Sequence, residues 1–377
     1  MLVGASFTSG YTHLTVGGDT RSDADGLRAD GIGSSLPPGL NSSAGKAIYV
    51  STKGLDRNPG TLERPLRTIQ RALDRARPGE RILVRRGTYE ENLRIERSGA
   101  RAAPITLAGY RDERPVVRAR PIAANTYAIV VSAFFIRIKG LVLEGATGIS
   151  SANVYLDEDA GNVELRGNVI RKGQDQGVIA DSETSNVQII GNVIHSNGAG
   201  LPGQHQSHGI YSSGTGHVIV NNVVYDHPHG FGIHVYPKNE GTIVSGNTVV
   251  HNAQGGIVLA GELVKNITVR NNIFAYNGVY GISVEDETEA SRVDSNLVYR
   301  NASSDIRVKG SGADLSGGNV TAPPRFANLR GRNLHLTRHS PAIDRAVIEY
   351  SKPFDVEGVE RPQGRAPDIG AFEWTPK

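Results

Sequence analysis

An asparagine recurs along this chain at intervals that match one turn of a solenoid. The words Gly167-Asn168-Val169-Ile170, Gly191-Asn192-Val193-Ile194, Asn221-Asn222-Val223-Val224, Gly246-Asn247-Thr248-Val249, Asn271-Asn272-Ile273-Phe274 and Ser295-Asn296-Leu297-Val298 occupy equivalent places. Their asparagines are separated by steps of 24, 30, 25, 25 and 24 residues. Short β-rich words at such a period build an architecture in which each repeat is one coil and stacks on the next. One residue type held at one turn lets the side-chain amides form a ladder, each bonding to the next coil across about 4.7 to 4.9 Å. The expected fold is therefore all-β: a right-handed parallel β-helix.

Composition narrows the possibilities further. A chain of 377 residues could hold two ordinary domains, but a solenoid grows along one axis, so one long domain is expected. The formal charge is only +3, with Lys and Arg scattered, which argues against nucleic acid as a partner. No stretch approaches the roughly 18 apolar residues that cross a bilayer, so no membrane insertion is expected. There are no cysteines, and stability must come from the core and the ladders. Nothing at Met1-Leu2-Val3-Gly4-Ala5 has the charged and apolar regions of a signal peptide. A solenoid of this kind, closed at both ends, is expected to be a monomer.

Residues 1–45 are rich in Gly, Ser, Asp and Pro without a hydrophobic period, which predicts an irregular arm. Residues 46–318 carry the β-helix. Near its start, Leu66, Ile69, Ala72, Leu73 and Ala76 share one helical face and Pro78-Gly79 follows, predicting a capping helix over about 65–77. Residues 319–377 form a C-terminal capping module. The succession Tyr49-Val50-Ser51, Asn58-Pro59-Gly60-Thr61, Pro65-Leu66-Arg67-Thr68-Ile69-Gln70, Pro78-Gly79-Glu80 and Val84-Arg85-Arg86-Gly87-Thr88-Tyr89 resembles the start of secreted pectate-lyase-like β-helix proteins. The tail, Ser340-Pro341-Ala342-Ile343-Asp344 followed by Asp368-Ile369-Gly370-Ala371-Phe372-Glu373, is similar to a C-terminal module of the same group. The resemblance covers roughly residues 47–374, and implies a secreted, carbohydrate-active protein, most often a polysaccharide lyase.

The repeats also set a register. Val154, Val178, Ile210, Ile233, Ile257, Ile282 and Ile306 align as an inward row. Side chains alternate across a strand, so the next residues, Tyr155, Ile179, Tyr211, His234, Val258 and Ser283, form an outward column. Two positions on, a second column reads Asp157, Asp181, Ser213, Tyr236, Ala260 and Glu285. A third reads Asp159, Glu183, Thr215, Lys238, Glu262 and Glu287. The longest step holds an insertion, residues 198–207, expected to form a wall beside this face.

Chemistry concentrates on the same face. Asp157 stacks over Asp181, and Asp159 over Glu183. Carboxylates one rung apart repel unless a cation, a raised pKa or solvent relieves them, and a hard cation such as Ca²⁺ accepts such oxygen ligands. Further along come His205, His208, Tyr211, His227, His229, His234, Tyr236 and Lys238. No spacing among these histidines repeats a zinc-enzyme motif. The set suits β-elimination from a uronic-acid polymer, in which a base removes the C5 proton and an acid protonates the leaving oxygen. Lys238 or His234 is the candidate base, and Tyr211 or Tyr236 the candidate acid. His205, His208, His227 and His229 are candidate contacts to an acidic polysaccharide.

The sequence departs from better-known patterns of the group. It lacks the Arg-centred signature of pectate lyases and the paired Glu, Lys and downstream Arg of the chondroitinase B and alginate lyase group. Tyr225-Asp226-His227-Pro228-His229 resembles the Asp-Pro-His word of mannuronan epimerases with its order disturbed. An epimerase, a glycoside hydrolase using paired carboxylates and a non-catalytic glycan-binding β-helix thus stand as alternatives.

Overall fold

The computed structural model describes residues 45–200 and 207–376. Its strands follow one another around a three-sided coil, and each pairs with the strand one coil away, giving three long parallel sheets. The first has 11 strands, from Ala47–Val50 to Ala313–Asp314. The second also has 11, with a main path running from Leu93–Ile95 to Ser304–Val308. The third has 9, from Thr88–Glu90 to Leu297–Tyr299. Aliphatic side chains from all three sheets fill the interior as one continuous core. Val154, Val178, Ile210, Ile233, Ile257 and Ile282 pair in succession, and every one is fully buried, in agreement with the register read from the repeats.

The asparagine ladder is continuous from Asn168 through Asn192, Asn222, Asn247, Asn272 and Asn296 to Asn319. In each step the side-chain Nδ2 donates to the next Oδ1 at 2.9–3.1 Å. The same oxygen also accepts the backbone N–H of the preceding rung, as Asn247 Oδ1 does from Asn222 N at 2.8 Å. The second amide proton reaches a main-chain carbonyl, as from Asn247 Nδ2 to Ile219 O at 2.8 Å. Buried polar groups are thereby satisfied. The residue before each ladder asparagine has φ of 56–64° from Gly167 through Ser295, a left-handed turn that favours Gly and Asn. This requirement explains the Gly-Asn and Asn-Asn words.

A second ladder, which the repeats had not suggested, runs five residues downstream of the first. Asn252 Nδ2 donates to Asn277 Oδ1 at 3.1 Å, and Asn277 Nδ2 to Asn301 Oδ1 at 2.9 Å. Asn197 Oδ1 holds the same role toward Gly173 N and Asn153 Nδ2. Between Asn197 and Asn252 this row is occupied by His227. The expectation that His227 contacts substrate is therefore corrected: its side chain is fully buried. Its Nδ1 lies 3.1 Å from Tyr225 O, while the buried Nε2 has no partner among the described residues. An imidazole lacks the carbonyl oxygen that would continue the ladder.

Two other expectations change. The helix spans only Ile69–Leu73, because Leu66 is extended and bridges Val50, and Thr68 then caps the helix by accepting from Arg71 N. Leu66, Ile69, Ala72, Leu73 and Ala76 are nonetheless all buried in the main core. After Asn319, the C-terminal residues lie along the flank of the third sheet. Leu334, Leu336, Ala342, Ile369, Ala371 and Phe372 share a second core with the outward-facing Val142, Val169, Val193, Val223, Ile273 and Leu297. Hydrogen bonds tie this segment to several coils, from Asn221 Nδ2 to Phe354 O, Ser245 Oγ to Tyr350 O, and Asn271 Nδ2 to Val347 O.

Replacing Asn247 by Ala strands the amide partners above and below it, and is expected to cost about 1–3 kcal/mol in urea unfolding. His227 yields a pH-dependent counterpart. Burial pushes its pKa down to about 3, whereas in the unfolded chain it titrates near 6.5. As the pH falls, the unfolded state takes up the proton first, so stability is lost progressively from about 6.5 toward about 3. In His227→Asn the fall in Tm across that window is expected to be shallower than in the parent protein. Some slope remains, because burial also pushes His217 down, to about 4.

Candidate functional site

The second sheet places the candidate residues. Its strands Ala152–Leu156, Gln176–Ala180, Ile210–Thr215, Phe231–Glu240 and Gly255–Leu259 stack in parallel. Tyr155 pairs with Ile179, Ile179 with Tyr211, Tyr211 with His234, and His234 with Val258, so the first outward column is as read from the repeats.

Around Tyr211 and His234 the column becomes a cluster of rings. The His234 centroid lies 5.4 Å from that of Tyr211, 5.0 Å from Tyr236, 4.4 Å from His208 and 6.1 Å from Phe231. Tyr211 and Tyr236 are 6.1 Å apart. His208 is 2% exposed, and Tyr211, His234 and Tyr236 are partly exposed. His234 Nδ1 lies 2.9 Å from His208 Nε2. The far side of His208 accepts from Phe231 N at 3.0 Å, and its own backbone N–H donates to Gln176 Oε1 at 2.6 Å.

Loss of solvation dominates the electrostatics. It pushes the His234 pKa down to about 3 and holds His208 well below the usual imidazole range, so both rings are neutral near pH 7. The same cause raises the Tyr211 phenol above its ordinary value and keeps it protonated. The cluster is an uncharged set of donors and acceptors. His208 thus underlies His234 instead of lining the surface by itself. His229 is half-buried and bridges Ser207, closing the base of the insertion. His205 lies outside the described residues.

Lys238 departs from its expected column. Ser212 pairs with Val235, but Gly214 pairs with Asn239, so the strand Phe231–Glu240 holds two more residues than its neighbour across this stretch. Thr215 therefore pairs with Glu240, and Lys238 sits in a bulge, exposed, with φ of 50°. Bulges of this sort re-aim side chains beside functional faces. Lys238 remains two residues beyond Tyr236, anchored through its backbone N–H to Glu262 O at 2.8 Å.

Two of the four acidic residues have partners within the protein. Asp157 accepts from Ser132 Oγ and from Asp159 N. Asp181 accepts from Tyr155 Oη at 2.9 Å and from Ser182 N at 2.6 Å. Asp159 and Glu183 are exposed. Among the described residues no three His, Asp or Glu side chains come together as ligands for a metal ion. Hydroxyl and backbone amide donors thus meet Asp157 and Asp181.

Two features of the face had not been anticipated. Tyr127 stacks on Tyr155 with centroids 5.2 Å apart, forming a flat aromatic platform upstream of the cluster. Asp175, just before the strand Gln176–Ala180, is 5% exposed, and burial pushes its carboxyl up to about 7. The period did carry a signal for Asp175, since it sits one position before Gln176 and thus before the row that leads to His208.

Comparison with known proteins agrees with this geometry. A family model described as "Pel9A-like, right handed beta helix region" matches residues 48–313. The uncharacterized protein YwoF of Bacillus subtilis is 31% identical over 139 residues, 34% of this chain and 29% of that protein. Pectate lyase PEL9 of Emericella nidulans is 42% identical over 72 residues, 19% of this chain and 18% of that protein. The chain thus spans less than a third of the length of either relative. The crystal structure of pectate lyase Pel9A superposes with a TM-score of 0.61 at 17% identity, covering 88% of this chain and 97% of that one, and shows a shared fold.

Proposed function

Because the chain belongs to the Pel9A-like right-handed β-helix family, we propose that it is a polysaccharide lyase cleaving a uronic-acid-containing polymer by β-elimination. The observation that carries this reading is the juxtaposition of Tyr211, His234 and Tyr236 on one outward face, with the exposed Lys238 in the bulge two residues beyond Tyr236. The named relatives that act on pectate support the substrate class. A polymeric substrate places the reaction outside the cell.

In this mechanism the Lys238 amine takes the proton from C5. The C5–H electron pair becomes the C4=C5 double bond as the C4–O bond breaks, and Tyr211 gives its phenolic proton to the departing oxygen. Tyr211 suits this role because desolvation keeps it protonated. His234 suits the base role poorly: a group with a pKa near 3 has little tendency to take a proton from carbon. Tyr236, its ring 5.0 Å from that of His234 and 6.1 Å from that of Tyr211, contributes a hydroxyl toward the sugar. The Tyr127–Tyr155 platform supplies an apolar surface for a sugar ring further along the chain.

A panel of pectate, alginate, hyaluronan, chondroitin and neutral glycans, with and without a chelator, tests the reading. An acidic polymer is expected to gain the ultraviolet absorbance of an unsaturated uronate. New reducing ends without that absorbance would mark a hydrolase, and retention of polymer without shortening would mark a binding protein. Lys238→Ala is expected to abolish elimination, and Tyr211→Phe to lower kcat by roughly 10²- to 10⁴-fold. Both should keep Tm within a few degrees, as partly exposed positions outside the core do. Full activity in both variants would move the site elsewhere.

A further inference from the structure

We propose that His208 is a positioning residue that holds His234 in the tautomer with its proton on Nε2, so that His234 offers the polysaccharide a hydrogen-bond donor and not a base. The assignment starts from a group whose role is fixed. The backbone N–H of Phe231 donates to His208 Nδ1 at 3.0 Å, so that nitrogen carries a lone pair. A neutral imidazole has one ring proton, which must then sit on His208 Nε2. That nitrogen is 2.9 Å from His234 Nδ1 and donates to it. His234 Nδ1 is thereby an acceptor, and its own proton is on Nε2. Among the described residues nothing accepts from His234 Nε2, so the donor is free for a ligand.

Each link is braced. Gln176 Oε1 accepts from His208 N at 2.6 Å and fixes the residue's backbone. A Cβ at Gly230 would lie 2.2 Å from Ser207 O and 2.8 Å from His208 Nδ1, so only glycine fits beside the Phe231 N–H. Among the described residues the groups facing the pair are His227 against His208, with Tyr211, Phe231 and Tyr236 around His234. None of these is a carboxylate that could stabilise an imidazolium. A proton added to His234 Nδ1 would meet the His208 N–H head-on, which closes the base role from the inside. The chain uses the same device at His217, whose Nδ1 accepts from Val187 N at 3.1 Å while Nε2 faces Ser213 O. There a carbonyl consumes the donated proton; at His234 the ligand would.

The ligand chemistry is an oxygen acceptor, and a sugar carboxylate is the strongest on an acidic polymer. This part rests on the reading of the face as a polysaccharide site. Long-range nitrogen–proton NMR spectra of the ¹⁵N-histidine-labelled protein test the tautomer without substrate, His234 being assigned by its loss in His234→Gln. The pattern expected near neutral pH is that of a single Nε2–H form. An Nδ1–H form, or a mixture, would overturn the proposal. In His208→Phe the His234 signal is expected to become a tautomer mixture, and an unchanged signal would count against it. On the polymer found by the panel, His234→Gln keeps a donor but not a base, and should retain activity within about tenfold where His234→Ala loses it. Equal loss in both would refute the donor role. Since the spectra need no polymer, a panel negative for elimination would judge the lyase reading alone.

Discussion

The amide ladders are the constraint on which the rest of the molecule depends. Each ladder oxygen accepts both a side-chain and a backbone proton from the coil before it, so a vertical slip of one residue would orphan several buried groups at once. That cost fixes coil on coil. Tyr211 and His234, 23 residues apart in the chain, are in ring contact because the ladders hold their strands in one register. A surface assembled from single residues of successive coils depends on that register, which the ladders fix together with the strand pairing.

The fold was legible because its physical demands recur. A left-handed turn, an amide and a run of aliphatic residues must return in every coil, and their period can be counted. The inward row from Val154 to Ile282 and the outward column through Tyr211 and His234 followed from the alternation of a strand. The rest escaped where regularity breaks. Lys238 left its column because the strand from Phe231 gains two residues over its neighbour, a change that counting from the ladder asparagines absorbs without trace. His227 looked like one more surface histidine beside Pro228. Yet Asn197, Asn252, Asn277 and Asn301 all lie five residues beyond a ladder asparagine, and so does His227. That offset was visible in the sequence and would have placed it inside. The hydroxyl partners of Asp157 and Asp181, Ser132 and Tyr155, come from other coils and leave no local mark in the sequence.

Electrically, the face is unlike a set of fixed cations gripping an anionic polymer. Its histidines are desolvated and neutral, and its phenol keeps its proton. Such a surface recognises oxygen atoms by directed hydrogen bonds, whose strength depends on the geometry of the ring pair more than on ionic strength. The bulge that carries Lys238 is the exception, setting an exposed amine at the margin of a neutral floor.

Solenoids usually fray from their ends, because each coil knows only its neighbours. Here the C-terminal segment is bonded to the coils of Asn221, Ser245 and Asn271 together, along the side away from the ring cluster. It works as a splint across the middle of the stack. Coils that would otherwise open singly must part from it as a group, which ties the unfolding of the central rungs into one cooperative event.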